Sequence, residues 1–316
     1  MPAEVMEVAD GIDLLSVPMS SELVTSIVVL SGEDPVLVDA GTPLDGPRVI
    51  RDFISSHGLP WPRTLVNTHF HWDHSGGNSE LCGRGDINVL AHTAEGHLIA
   101  HPGDFAAAMT AVTGGSSAPP SAVGVIPEVA LDGRTVLAGG RTWQVVHVPG
   151  HTWGHVALWC EEECVLIAGD AVQGDGVPYR GVPGQGTGLP YYLDAAAYRR
   201  SLERLKALGV ETLVMAHGLP PWNSRVLRGA VPVRTAIDAS LATSSRIEVA
   251  IMQRLESSTA ASLTEVAEHV RASTAMSAMP PQATLTVRGH LVDLATRGLA
   301  RCQSGQWRLG DGVEAS

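Results

Sequence analysis

The chain has 316 residues, enough for one large or two unequal domains, and its 44% hydrophobic and 17% charged residues are ordinary for a globular protein. No apolar run approaches the roughly 20 residues that a membrane-spanning helix needs, which argues against such a helix and against a membrane partner. The formal net charge of −12 argues against a protein whose surface as a whole is basic enough to bind nucleic acid.

The first part of the chain alternates predicted strands with a helix. Apolar runs between residues 11 and 40 are broken by the turn sequence Ser31-Gly32-Glu33-Asp34-Pro35, which indicates antiparallel strands. Asp39 directly follows the last of these runs. A helix is predicted over residues 47–57 and a strand over residues 64–67. This alternation favours an α/β protein.

The segment that follows the predicted strand carries an H-x-H-x-D-H motif, three imidazoles and a carboxylate within six residues. Zinc in proteins is held by neutral imidazole nitrogens and carboxylate oxygens, and a catalytic site leaves one position open for water. Alternate residues of an extended loop can face one metal while the following two face a second. The motif residues that we predict to hold metal are His69, His71, Asp73 and His74.

Three further residues of the same types follow later strands. His151, Asp170 and His217 each come just after a short hydrophobic run and beside a glycine, a pattern typical of the carboxyl end of a buried strand. Side chains presented from strand ends onto loops commonly form active sites on a rigid scaffold. We therefore predict that five histidines and two aspartates converge on two divalent metal ions, with zinc the natural occupant.

Two long insertions interrupt the alternation of strands and helices. Residues 113–127 follow an alanine-rich helical stretch at 104–112, and the glycine-rich segment 173–192 leaves directly from Asp170. Loops of this length in compact domains are often lids or binding loops. The second insertion is therefore expected to border the substrate cleft.

Aromatic residues near the predicted ligands are candidates for substrate binding. Tyr179, Tyr191 and Tyr192 of the second insertion are predicted either to line the cleft or to anchor the loop on the core. Trp72 and Trp153 are adjacent to predicted ligands. They are predicted either to line the cleft or to pack beneath the metal loops.

The end of the chain is predicted as a separate, mainly helical unit over residues 244–316, after a catalytic domain over residues 1–235. Its elements are predicted as helices over 246–257, 263–272 and 282–298 followed by a hairpin over 300–309. Three helices and a two-stranded wing resemble a winged-helix domain.

The charge of this unit disfavours a nucleic-acid partner. It holds seven basic and seven acidic residues, so its net charge is zero. The arginines that could still form a local basic patch are Arg288, Arg297, Arg301 and Arg308. Proteins that bind nucleic acid normally present a basic surface, which a net charge of zero does not provide. We therefore interpret the unit as a packing or dimerisation element.

The motifs H-x-H-x-D-H, P-G-H-T-x-G-H, G-D and A-H-G occur in an order similar to that of the metallo-β-lactamase superfamily, especially its glyoxalase II (hydroxyacylglutathione hydrolase) branch. The resemblance covers residues 10–230 and implies a four-layer αββα sandwich. It implies one metal held by His69, His71 and His151. It implies a second metal held by Asp73, His74 and His217, with Asp170 bridging the two.

Two more residues are predicted to support the ligands without binding metal. Asp39 ends an early strand, and His155 lies four residues after a ligand. Hydrogen bonds from such neighbours orient metal ligands.

The resemblance implies hydrolysis by a metal-bridging hydroxide, with Asp73 and Asp170 as the carboxylates of the catalytic centre. Water shared by two zinc ions loses its proton near neutral pH, since one zinc ion already lowers the pKa of bound water to about 7. Such a hydroxide would attack a carbonyl carbon whose oxygen one metal would polarise. We predict a dinuclear zinc hydrolase that cleaves a thioester or related activated carbonyl of a small molecule; iron or manganese could replace zinc.

Two alternatives stay open. Hydrolysis of a lactone or an ester would need the same chemistry from the metals. The pattern of the acyl-homoserine lactonases, however, has a tyrosine where this chain has Gln173. An endoribonuclease or nucleic-acid-binding protein would use the C-terminal unit, since a similar appendage occurs in lactamase-like endoribonucleases.

A homodimer is expected only because symmetric dimers are the commonest assembly.

The cysteines and the first residues predict a cytoplasmic protein. Four cysteines without a disulfide pattern suit a reducing compartment and are interpreted as structural thiols. The first residues lack the basic and apolar segments of a secretory signal.

Overall fold

A computed structural model of the chain describes residues 4–19, 23–113, 124–129, 132–178, 187–277 and 280–311. Its first β-sheet is ordered as the chain runs. The strands are β1 (Val5–Ala9), β2 (Ile12–Pro18), β3 (Val24–Leu30), β4 (Val36–Val38), β5 (Thr64–Val66), β6 (Asn88–Ala91) and β7 (Glu128–Val129). Strands β1 to β4 pair antiparallel, whereas β4 to β7 pair parallel.

The second sheet is formed by later strands and mixes both pairing directions. Its strands are β8 (Thr135–Ala138), β9 (Arg141–His147), β10 (Val156–Cys160), β11 (Val165–Ile167), β14 (Thr212–Leu219) and β15 (Ser224–Arg228). They lie in the order β15-β14-β11-β10-β9-β8, with β11 and β14 parallel. Two short strands, β12 (Val177–Pro178) and β13 (Thr187–Gly188), pair with each other.

Helices connect and cover these sheets. They are α1 (Asp45–Ser56), α2 (Trp72–Ser75), α3 (Asn78–Cys82), α4 (Gly96–Ala100), α5 (Pro102–Thr113), α6 (Ala195–Lys206), α7 (Ala230–Glu256), α8 (Leu263–Thr274) and α9 (Pro280–Thr296). Helix α6 shows how the sequence sets a boundary: the Asp194 side chain accepts the Ala197 N–H and caps the first turn.

The packing of apolar side chains defines four layers. Leu14 of the first sheet and Leu158 of the second share one core between the inner faces of the sheets. Phe53 of α1 packs on the outer face of the first sheet. Leu202 of α6 and Ile237 of α7 pack on the outer face of the second. The predicted αββα sandwich is therefore confirmed.

Helix α7 takes part in two cores. Its first half contributes Ile237 to the core outside the second sheet, and its second half contributes Ile247 to a core with α8 and α9. The predicted helix over 246–257 thus begins at Ala230, with Pro232 in its first turn, where proline is tolerated. The boundary predicted between residues 235 and 244 lies inside this helix.

The C-terminal strands form a small third sheet. They are β16 (Ala261–Ser262), β17 (Ala300–Gln303) and β18 (Gln306–Leu309), in the order β16-β18-β17. Helices α8 and α9 and the hairpin lie close to their predicted bounds. The likeness to a winged-helix domain and the division into two domains stay predictions.

The cysteines are unpaired in this structure: Cys82, Cys160, Cys164 and Cys302 are free thiols. Over the part of the chain that the structure describes, no helix has the length and apolarity needed to cross a bilayer. The cytoplasmic location stays a prediction.

Candidate metal centre

Loops from both sheets carry the predicted ligands to one place. The H-x-H-x-D-H segment follows β5 and includes α2, and His151 lies in the loop between β9 and β10. Asp170 follows β11, whereas His217 lies within β14, at an irregularity in its pairing with β15. The structure brings all seven residues together, in two groups of side chains with Asp170 between them.

Glycines directly before two of the predicted ligands let the loops pass close to their neighbours. Gly169 has a φ of +51°, and a Cβ there would lie 2.9 Å from the Nε2 of His155. Gly150 has a φ of +140°, and a Cβ there would lie 2.4 Å from the Cα of Tyr198. A larger residue at either position would displace the ligand that follows it.

Three histidines form the first group. The Nε2 of His69 lies 2.8 Å from the Nδ1 of His71. The Nε2 of His151 lies 3.2 Å from the first of these atoms and 3.0 Å from the second. Burial lowers the pKa of all three imidazoles, so they are neutral at physiological pH. Neutral imidazole nitrogens that face one another at this spacing are a donor set suited to zinc.

A carboxylate and two histidines form the second group. The Oδ2 of Asp73 lies 3.3 Å from the Nε2 of His217 and 3.6 Å from the Nε2 of His74. The ligand atoms of these three residues all lie within 4.8 Å of one another.

Asp170 lies between the two groups. Its Oδ2 is 3.4 Å from the Nε2 of His151, in the first group. The same oxygen is 3.7 Å from the Nε2 of His74 and 3.6 Å from that of His217, in the second group. This is the position that a bridging carboxylate would need.

The charge of the second group fits a cation. Burial would raise the pKa values of Asp73 and Asp170, but the neighbouring histidines hold both well below the usual range. Burial would lower the pKa of His217, but the two carboxylates raise it to about 10. The pKa of His74 is likewise raised, against the effect of burial, by Asp39 and the same pair. Its Nε2 is buried without a hydrogen-bond partner. A divalent cation would supply the positive charge that the two carboxylates otherwise draw from protonated histidines. It would also give the Nε2 of His74 a partner.

Asp39 orients one histidine of each group. Its Oδ1 accepts the Thr68 N–H at 2.7 Å, and its Oδ2 accepts the Thr68 hydroxyl at 2.8 Å. The same Oδ2 lies 2.7 Å from the Nδ1 of His74, and the Thr68 oxygen lies 3.0 Å from the Nδ1 of His69. When each Nδ1 donates outward, each Nε2 is left to face the centre as an acceptor.

Main-chain carbonyls orient the ligands that come from more distant loops. The Nδ1 of His151 lies 2.6 Å from the carbonyl oxygen of Tyr191. The Nδ1 of His217 lies 3.0 Å from that of Val24. Both contacts fix the tautomer that turns Nε2 toward the centre.

Two side chains fix the loop that begins at Asp170. His155, predicted to have a supporting role, accepts the Asp170 N–H through its Nε2 at 3.1 Å. Gln173 was not among the predicted site residues. Its Nε2 donates to the Tyr191 carbonyl at 2.7 Å, and its Oε1 accepts the Tyr191 N–H at 2.6 Å. Gln173 therefore holds the carbonyl that orients His151.

Glu95 joins the two main ligand loops and was missed by the sequence analysis. It is fully buried, and its carboxylate accepts the N–H of Phe70 at 2.9 Å and that of Gly154 at 2.6 Å. Burial raises the pKa of Glu95 to about 7. It belongs to no motif, so no signal in the sequence points to it.

The three tyrosines of the second insertion have different places. The ring of Tyr191 lies 5.3 Å from that of His71, nearly parallel to it, and so borders the centre. Tyr192 is fully buried, and its hydroxyl lies 2.7 Å from the Nε2 of His290. A substrate does not reach this side chain, which anchors the loop on the core. Tyr179 lies outside the described residues.

The two tryptophans also differ. Trp153 is 49% exposed and lines a cavity beside the centre. Trp72 begins α2 and is half-buried. Phe105, which was not predicted, completes this side: its ring lies 6.4 Å from that of Trp153 and 5.9 Å from that of His71.

Comparison with known families identifies the larger part of the chain. Residues 21–217, which hold all seven converging residues, match the family described as the metallo-beta-lactamase superfamily. The chain belongs to the metallo-β-lactamase superfamily. The resemblance inferred from the order of the motifs is thus confirmed. Membership implies divalent metal ions, and the histidine and aspartate cluster could hold them.

Two curated relatives of this superfamily protein are named as a hydrolase and a thioesterase. The hydroxyacylglutathione hydrolase of Methylococcus capsulatus is 33% identical over 163 residues, 51% of this chain and 50% of that protein. The acyl-coenzyme A thioesterase MBLAC2 of Gallus gallus is 29% identical over 178 residues, 49% of this chain and 61% of that protein. The chain thus spans 50 to 61% of the length of these two relatives.

A solved structure extends the likeness in fold to the C-terminal helices. A metallo-β-lactamase family protein of Thermus thermophilus has a TM-score of 0.73 and 22% sequence identity. The match covers 96% of this chain and 100% of that chain. The fold is therefore shared well beyond residue 217.

Proposed function

We propose that this protein is a dinuclear zinc hydrolase that cleaves a thioester bond of a small-molecule substrate. The observation that carries the proposal is the convergence of two ligand groups with Asp170 between them. Family membership and the named hydrolase relatives support a metal-dependent hydrolase. The thioester is favoured because the hydroxyacylglutathione hydrolase and the acyl-coenzyme A thioesterase are named for acyl-thiol substrates.

The geometry supports the predicted distribution of ligands. One metal would be held by His69, His71 and His151. The second would be held by Asp73, His74 and His217, with Asp170 shared. Zinc bound there would supply hydroxide at neutral pH and polarise the substrate carbonyl. Iron or manganese suits the same imidazole and carboxylate donors.

The hydroxyls of Thr68 and Ser75, which lie beside the predicted ligands, are engaged in other hydrogen bonds, which supports water as the nucleophile. Thr68 donates its hydroxyl to Asp39 at 2.8 Å. Ser75 donates its hydroxyl to the Phe70 carbonyl at 2.9 Å. Both side chains are buried, so neither hydroxyl is open to a substrate carbonyl. The chain's contribution is therefore to hold the ligands and to orient their acceptor atoms.

The test is thiol release from acyl-thioesters of glutathione and of coenzyme A, together with zinc content per chain. We expect turnover that chelation abolishes and zinc restores, and two zinc ions per chain. His69→Ala should abolish turnover, and Asp170→Ala should leave one ion or fewer. Asp86→Ala, which removes an exposed carboxylate, is the matched control.

Two results would contradict the proposal. If no thioester is cleaved while both metals are bound, the thioesterase assignment is wrong, and lactones become the next substrates to examine. If Asp170→Ala retains two zinc ions and normal turnover, the carboxylate does not bridge the metals.

The C-terminal unit adds no support for a nucleic-acid substrate. Of the four arginines predicted to form a basic patch, Arg297 lies 2.7 Å from a Glu248 carboxylate oxygen, and Arg301 pairs with Asp311. These carboxylates offset the positive charge that a phosphate backbone would require. A small-molecule substrate remains the proposal, and a homodimer remains a prediction.

A further inference from the structure

We propose that a cavity of about 480 Å³ beside the metal centre binds an amphipathic organic anion. The apolar segment of this ligand would lie along α5 and α9, and its negative group would bind Arg200 and Arg288. The inference rests on the proposed function and adds to it the chemical class of the substrate. The volume falls within the range of about 300–1,000 Å³ that is usual for small-molecule sites.

The cavity and the metal centre share walls. Phe105 and Trp153 line the cavity, and the Phe105 ring lies 5.9 Å from that of His71. Met109 lines it as well and packs in one cluster with Tyr191, whose ring is nearly parallel to that of His71. At Phe105, one aromatic side chain therefore lies between the cavity and His71.

The walls from α5 and α9 are apolar and remain partly open. Val112 of α5 is 42% exposed, and Val292 of α9 is 46% exposed. Leu285 of α9 and Met109 of α5 continue the same surface inward. Apolar side chains exposed around one cavity, not scattered singly, mark a ligand-binding groove. Covering them with an aliphatic or aromatic segment is favourable in proportion to the area removed from water.

Within the described residues, neither arginine of the lining is paired with a carboxylate of the lining. The lining contains two carboxylates and two guanidiniums. Asp293 already pairs with two arginines outside the lining, and Asp194 accepts an N–H as the cap of α6. Arg200 and Arg288 are exposed, and across the described ranges they have neither an ion pair nor a hydrogen bond. Two guanidiniums without a carboxylate partner in the lining of one cavity are suited to bind a carboxylate or phosphate.

The negative group could belong to either half of a thioester. It could be a phosphate or carboxylate of the thiol carrier, or a carboxylate at the far end of the acyl group. Thioether analogues separate these sources, and because they resist hydrolysis, binding is measured independently of turnover. The probes are S-octyl-coenzyme A, S-octyl-glutathione, S-octyl-N-acetylcysteamine and S-(carboxyheptyl)-N-acetylcysteamine.

The experiment is calorimetric titration of the zinc-loaded protein with these four thioethers. Arg200→Gln and Arg288→Gln should each weaken binding of the recognised anionic probe about tenfold, the size expected for a lost charge-assisted hydrogen bond. Binding of the uncharged octyl probe should not change. Val292→Gln should weaken all four. Arg234→Gln, which removes an exposed arginine of α7 outside the lining, is the matched control.

The outcome identifies the source of the anion or overturns the assignment. Loss confined to the coenzyme A or glutathione probe assigns the anion to the carrier, and loss confined to the carboxyheptyl probe assigns it to the acyl group. The proposal is overturned if no anionic probe binds, if the two variants bind all probes normally, or if Arg234→Gln shows the same loss. Binding without cleavage of any thioester would refute the proposed function alone. Cleavage with normal binding by both variants would refute the cavity assignment alone.

Discussion

The metal centre and the cavity beside it are built on different principles. The centre is buried, and its imidazoles are held in place by hydrogen bonds that they donate to Asp39 and to the carbonyl oxygens of Tyr191 and Val24. The cavity is half-open, is walled by α5, α6 and α9, and carries arginines without a carboxylate partner in the described part of the chain. Removing one partner from a buried network is costly to the structure, whereas substitutions of exposed side chains usually change stability little. Metal binding and ligand recognition should therefore be separable by mutation.

One segment connects the two regions. The Tyr191 carbonyl contacts His151 of the centre, and the next residue contacts helix α9. The Tyr192 N–H donates to the Thr286 hydroxyl at 3.2 Å, and that hydroxyl donates to the Pro190 carbonyl at 2.9 Å. Helix α9 thus both lines the cavity and supports the segment that orients a predicted metal ligand.

The largest effect is expected for Asp39→Asn, which should weaken metal binding and leave ligand binding in the cavity unchanged. The amide replaces one acceptor oxygen by an N–H donor, and that donor would face Thr68 or His74, which are donors themselves. Loss of such supporting contacts typically weakens metal affinity about 10- to 100-fold. Zinc affinity is measured by competition with a chelator.

Ligand binding in the cavity is the control measurement for Asp39→Asn. The affinity of Asp39→Asn for S-octyl-coenzyme A at saturating zinc should be unchanged, and Asp86→Asn should bind zinc normally. Unaltered zinc affinity in Asp39→Asn would show that the carboxylate does not orient the ligands.

The metal side could be predicted from sequence because its chemistry is local. His69, His71, Asp73 and His74 share one short motif, and the other predicted ligands follow apolar runs next to glycine. Glu95 could not be predicted in this way. Its carboxylate accepts hydrogen bonds from the N–H groups of Phe70 and of Gly154, and Gly154 is 59 residues from Glu95 along the chain. Only the packing of the two sheets brings these residues together.

A smaller effect, on the cavity side, is expected for Gly289→Ala. A Cβ at this position of α9 would lie 2.7 Å from the Leu193 carbonyl oxygen, so the helix must move away from the connecting segment. Overpacking of this kind costs about 1–3 kcal/mol of stability. We expect a lower melting temperature and a higher KM, with zinc content unchanged.

A second glycine provides the control. Gly103 lies in α5, another wall of the cavity, and a Cβ there would meet nothing within 4 Å. Gly103→Ala should therefore preserve stability and KM. If Gly289→Ala loses its zinc, the two regions are not separable by mutation; if it matches Gly103→Ala, α9 is not fixed at this contact.

The cavity side could not be predicted because its contacts join distant parts of the chain. Tyr192 and His290 are 98 residues apart, and neither belongs to a motif. The start of α7 was missed for a related reason. Ser240 is a polar residue that favours a loop, but in the structure its hydroxyl donates to Ala236 and accepts the Gly174 N–H at 2.8 Å. Tertiary hydrogen bonds thus allow a helix where local preference alone does not.

The last effect, which is confined to acidic pH, concerns the pH dependence of stability at His290. Burial, and then the charges of Arg199 and Arg297, lowers the pKa of this imidazole to about 3, below its ordinary value of 6.5. The nearby Glu248 carboxylate, 3.9 Å from the Nδ1 of His290, is itself paired with both arginines. Because the folded-state pKa is depressed, the unfolded chain binds a proton that the folded protein excludes. The contribution to stability is therefore complete above about pH 6.5 and is lost as the pH falls below it.

His290→Gln separates this contribution from those of the other buried histidines. Glutamine can still accept the hydrogen bond from the Tyr192 hydroxyl but does not titrate. Between pH 8 and pH 5 the wild-type protein should lose about 2 kcal/mol more unfolding free energy than the variant, which denaturant titrations at the two pH values would measure. Parallel pH profiles for the two proteins would show that His290 is not held neutral. In that case α9 would be fixed to the connecting segment by Thr286 and by close packing at Gly289, without a buried neutral imidazole.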